Sequence, residues 1–153
     1  MLNNSCFLEH SGEKNEGSTR YHIAVCDSKI LSLIMNGSKT IESRFSINRI
    51  APFGYIEEGD TVYFKKTGGP VVGKAIAGRV QFFSKLTGRE VQLLKEEYNN
   101  MIQADEEYWN CKMSARYGTL IYLDEVEQLS PIDIKKRDRR PWVICNNNVE
   151  HAF

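Results

Sequence analysis

Apolar residues take up a regular spacing at Tyr21–Cys26, YHIAVC, which predicts a strand. The 20 residues before it include HSGEKNEGST, are mostly polar and have no period, so they read as a flexible arm. Asp27 or Ser28 then stands where a helix N-cap belongs. SKILSLIMN brings Ile30, Leu31, Ile34 and Met35 toward one side of a helix. Gly37 falls where a left-handed C-terminal cap is expected. KTIESRF follows as a strand, with Ile41 and Phe45 among polar neighbours.

From Gly59 the pattern turns strand-rich. GDTVYF joins a turn signal to an alternating run, TGGP is a turn, and VVGKAIAGRVQFF predicts one long strand. Its two glycines suggest bulges or sharp bends of the kind a small barrel needs. Residues 87–115 change character, and the spacing of Val91, Leu94 and Tyr98 predicts one or two surface helices. GTLIYLDEVEQL returns to strand, and IDIKKRDRRPWVIC is a basic loop leading into a last short strand. Strands and helices do not alternate, which excludes a doubly wound parallel sheet. The order predicts an α+β fold: a small mixed β-barrel with helices packed on its outside.

Composition narrows the function. The 153 residues suit a single domain, over 21–153, with a core that needs no disulfide or metal. Twenty Lys and Arg balance twenty Asp and Glu. Zero net charge argues against a protein that grips long stretches of phosphate backbone. It leaves room for a local basic patch or a pocket for one nucleotide. The cysteines Cys6, Cys26, Cys111 and Cys145 match no zinc module, and His10, His22 and His151 are scattered, so neither metal nor cofactor is expected. Cys26 and Cys145 sit in apolar runs and are expected as core thiols. With neither a membrane-length apolar run nor a secretory signal, the expected location is cytoplasmic.

Three stretches carry candidate chemistry. GGPVVGKA nearly matches a phosphate-binding loop through Gly68, Gly73 and Lys74, but Ala75 replaces the metal-holding hydroxyl and a strand follows where a helix is required. A hairpin turn is the better reading. KKRDRRPW is the densest basic run. Lys135, Lys136, Arg137, Arg139 and Arg140 can hold backbone phosphates and Trp142 can stack on a base, while the plainer alternative is a solvated loop with a core tryptophan. The acidic groups at Glu96–Glu97, Asp105–Glu107 and Asp124–Glu125 are expected on a solvated face elsewhere.

The third stretch is NGSKTIESRF, with the pattern G-x-K-x-x-E-x-R: Gly37, Lys39, Glu42 and Arg44. It follows a strand and an amphipathic helix, and a Gly59–Asp60 strand start comes after it. The combination resembles the ASCH domain family of the PUA-like superfamily. The resemblance covers roughly residues 21–145 and is strongest over 28–65. It implies a small β-barrel, a cleft beside the first helix lined by Lys39, Glu42 and Arg44, and RNA binding. Some members of that family remove the acetyl group from N4-acetylcytidine, using a Lys followed three residues later by a Thr. Here Glu42 occupies that position.

The residue chemistry suits a pocket on its own terms. Lys and Arg only donate, and an ionised Glu only accepts, so the set can read a base edge or hold a phosphate. In a regular strand Glu42 and Arg44 share a face and Lys39 takes the other. Lys39 joins them only if it lies in the turn after Gly37, where it is expected. The leading expectation is therefore an RNA-binding module rather than an enzyme. The alternatives are a hydrolase using Lys39 and Glu42 on a modified nucleoside or on RNA, and a protein-interaction module.

Overall fold

A computed structural model describes residues 20–135, 138–145 and 148–150. The expected arm lies almost wholly outside the described residues, as do Lys136 and Arg137 of the basic run. The elements run β1 (Tyr21–Cys26), α1 (Ser28–Met35), β2 (Ile41–Ser46), β3 (Thr61–Lys66), β4 (Val71–Phe83), α2 (Gly88–Ile102), α3 (Glu106–Lys112), β5 (Tyr117–Ile132) and β6 (Trp142–Cys145). The strands form one mixed sheet in the order β2-β5-β4-β3-β1-β6. Among the described residues only β1 and β3 pair in parallel; the other neighbours are antiparallel.

The sheet curls into a half-barrel. Arg44 on β2, at one edge, donates to the carbonyl oxygens of Val25 on β1 and of Pro141 just before β6, at the other edge. The bend is built into β4, whose register with β5 shifts between Val71 and Gly73, between Lys74 and Ile76, and between Ala77 and Val80. Gly73 and Gly78 lie at or inside these irregularities, as their position in the strand suggested. The near match to a phosphate loop is a hairpin: Lys66 N–H donates to Pro70 O, and Gly73 and Lys74 are strand residues paired with β3.

Strand alternation divides the core between the two faces. Val62, Phe64, Ala75, Phe82 and Ile121 pack with Leu31 and Ile34 of α1. Their neighbours Phe83 and Leu120 join Ile41 and Phe45 on the other face, under Val91, Leu94, Tyr98 and Ile102 of α2 and Trp109 of α3. Residues 87–115 thus supply two helices, each burying one side. A third cluster, Ile23, Tyr63 and Val71, is closed by Val149.

A buried polar chain ties the first strand to the last. Trp142 Nε1–H donates to His22 Nδ1 at 3.1 Å, and His22 Nε2 lies 2.9 Å from Asp60 Oδ2. With Nδ1 accepting, the ring carries its proton on Nε2 and donates to the carboxylate. Asp60 also accepts from the amides of Glu57 and Arg20, so the Gly59–Asp60 turn is held from inside.

Candidate nucleotide-binding cavity

Three local devices bring the site together. Asp27 caps α1, accepting from Ile30 N–H at 2.8 Å. Gly37 leaves the helix with φ +81°, a backbone region that favours glycine. Lys39 N–H then bonds back to Leu33 O at 2.9 Å, which places Lys39 ahead of β2 rather than within it. The third device is the link between α2 and α3. Gln103 takes a left-handed conformation, and the Asn99 side chain bonds Ala104 N–H, Ala104 O and Trp109 Nε1–H. This aims the end of α2 at β2. Thr40 N–H donates to Met101 O, and Lys39 Nζ donates to Ile102 O at 2.7 Å. The Lys39 ammonium thus satisfies a helix C-terminal carbonyl, where a cation is favoured.

Glu42 joins the two cations. Its Oε1 accepts from Arg44 Nε–H at 2.8 Å, and its Oε2 lies 3.6 Å from Lys39 Nζ. Lys39 and Glu42 are 6% and 4% exposed. Burial works against the charge on Arg44, but the Glu42 carboxylate beside it more than compensates, so its pKa is raised and it stays a cation. The guanidinium also lies over the Trp142 ring, 5.2 Å from its centroid. Glu42 Oε2 has no hydrogen-bond partner among the described residues.

Lys39, Glu42 and Arg44 line a cavity of about 450 Å³. Its walls also include Cys26, Ser43, Thr67, Tyr108, Lys29 and Lys112, with Pro141 at one side. Ser43 Oγ and Tyr108 Oη are hydrogen-bonded at 2.8 Å. Burial pushes the Tyr108 phenol well above its ordinary value and the Cys26 thiol up to about 12, with Glu42 adding to both shifts. Both groups therefore keep their protons at neutral pH.

The structure brings Lys39, Glu42 and Arg44 together and separates them from most of the basic run. Lys135, Arg139 and Arg140 are exposed and none lines the cavity. Arg140 is paired with Asp138. Trp142, read as a stacking residue, is 2% exposed, with its N–H spent on His22 and Arg44 over its ring. Its apolar bulk belongs to the core, so no face is open to a base. The acidic groups are not all remote either, since Asp105 lines the cavity as the N-cap of α3. Sequence reading missed Lys29, Lys112, Ser43 and Tyr108. The two lysines carried a weak signal, being cations on the helices that flank the motif, but nothing local tied α3 to β2.

Cys26 is buried, Cys145 half-buried and Cys111 exposed, all as free thiols. Among the described residues no group of His, Cys, Asp or Glu is arranged to hold a metal ion. No helix among them is long and apolar enough to cross a membrane.

No protein-family model and no curated protein matches the sequence. Solved structures do match the fold. An ASCH protein from Zymomonas mobilis superimposes with a TM-score of 0.59 at 15% identity, over 74% of this chain and 73% of that one. A tyrosine-to-phenylalanine variant of it gives 0.59 at 16% identity, over 74% of this chain and 76% of that one. A serine-to-alanine variant gives 0.59 at 16%, over 74% and 73%. The half-barrel with its three helices is thus an α+β fold like that of these ASCH structures, the fold expected from the resemblance at Gly37–Arg44.

Proposed function

We propose that the protein is a nucleic-acid-binding module whose cavity takes one exposed nucleotide, of RNA rather than DNA. The observation that carries this reading is the Glu42 carboxylate. It is buried, it lines the cavity, and one of its oxygens has no hydrogen bond among the described residues, only the Lys39 ammonium 3.6 Å away. A buried acceptor left unsatisfied is costly, and a ligand N–H relieves the cost. Lys39 Nζ, next to that oxygen, offers a donor. An acceptor beside a donor matches the edge of a base that carries an exocyclic amine next to a ring nitrogen. Single-stranded RNA presents such edges unpaired.

A hydrolytic reading has a hydroxyl available at Ser43. Its partner is the Tyr108 phenol, which is not a base at neutral pH, and an activated nucleophile needs one. Binding is therefore the better-supported function.

The test is a titration of labelled protein with cytidine, N4-acetylcytidine and a short single-stranded RNA, following amide shifts and ligand integrity by NMR. Shifts centred on Lys39–Arg44 with intact ligand are expected. Glu42→Gln should flatten base preference, whereas Lys135→Ala, at an exposed residue outside the cavity, should leave base preference intact. Equal losses from both changes, with base preference intact, would remove Glu42 from recognition. Loss of the acetyl signal, abolished by Lys39→Ala, would make the protein a hydrolase.

A further inference from the structure

The charges lining the cavity are not used equally. Lys39 and Arg44 share Glu42 at its floor. Asp27 and Asp105 are both spent as helix caps, each accepting a backbone N–H at 2.8 Å. Lys29 and Lys112 line the same cavity, and neither has an ion pair among the described residues. Lys29 stands in the first turn of α1, which carries no acidic residue. Helix electrostatics favours an anion there, so a lysine adds its charge to the positive end of the helix. Asp27 already supplies the anion at this end as the N-cap, so the exposed Lys29 ammonium is left beside the cavity with no ion pair among the described residues. Lys112 ends α3 and lies over the Tyr108 ring, 5.4 Å from its centroid, which holds it at the cavity wall. The two lysines come from helices on opposite faces of the sheet and both line the one cavity.

We propose that Lys29 and Lys112 form a phosphate subsite, so that the ligand is a phosphorylated nucleotide with its base at Glu42 and its phosphate between the two lysines. This rests on the nucleotide reading of the cavity and moves the phosphate contact from the 135–140 run to α1 and α3. Lysine suits the role as a compact charge with three donors and no demand for a planar partner. The unsatisfied Glu42 oxygen fixes the polarity of the ligand: donors enter toward the floor and negative charge stays at the rim.

The experiment compares cytidine and adenosine, each free and as its 3′- or 5′-monophosphate, by calorimetric titration of the full chain. A monophosphate is expected to bind about tenfold tighter than its nucleoside, the scale of a charge-assisted hydrogen bond. In the Lys29→Gln, Lys112→Gln double variant it should fall to the affinity of the nucleoside, while Glu42→Gln weakens both. A thermal melt checks that the double variant is folded. Equal affinities in the native chain, or a phosphate advantage that survives the double variant, would overturn the subsite; if Glu42→Gln still weakened binding, the nucleotide reading would stand. No binding of any of these compounds to the native chain would remove both.

Discussion

At the residue scale, the cavity floor keeps charge and neutrality side by side. Lys39, Glu42 and Arg44 form linked ion pairs, whereas Cys26 and Tyr108 hold their protons. This difference sets a pH dependence. The Cys26 thiol titrates near 9.0 when unfolded and at about 12 when folded, chiefly because burial disfavours the thiolate. The folded state therefore binds the proton more tightly, and its contribution to stability is complete below about pH 9 and lost as pH rises toward 12. Tyr108, raised in the same sense, joins above the ordinary tyrosine range. Urea unfolding at intervals from pH 8 to pH 11 should show stability falling, and Cys26→Ala should lessen the decline at its start. A flat profile would mean that solvent reaches the thiol.

At the element scale, β2 is where local sequence and long-range packing meet. Its motif was legible because Gly37, Lys39, Glu42 and Arg44 lie within eight residues, and the turn that brings Lys39 round follows from Gly37. The basic run was legible as charge but not as position. Its tryptophan entered the core because His22, far away in sequence and held by Asp60, accepts its N–H. The wall made by α3 was hidden for the same reason, since Ser43 and Tyr108 are 65 residues apart. Packing between β2 and β5 gives a direct check. A Cβ on Gly118 would stand 2.7 Å from Phe45 Cε1 and 3.2 Å from Leu86 Cδ1. Gly118→Ala should destabilise the protein by about 1–3 kcal/mol, the range for overpacking a well-filled core. Measured in urea, a loss near zero would show that Phe45 can move aside.

At the scale of the whole molecule, the half-barrel ends in two edge strands, β2 and β6, and Arg44 reaches from one side to the other. One guanidinium bonds Glu42, Val25 O and Pro141 O and covers Trp142. A lysine there would keep the charge but lose the fork and the flat face. Arg44→Lys should therefore cost about 2 kcal/mol, in the range of a broken buried network. Tryptophan fluorescence during denaturation reads it out, because Trp142 lies under the guanidinium and Trp109 does not. An unchanged midpoint would mean that backbone pairing alone holds the curl.

The position of Arg44 also bears on how such a protein can change over generations. The side chain that clasps the two edges of the sheet is also part of the cavity wall. A substitution that retunes the cavity at this point also loosens the clasp, so new specificities cannot begin there without a prior gain in robustness elsewhere. Lys29 and Lys112 carry no such double duty. Diversification of ligand preference should therefore start at the rim and reach the floor last.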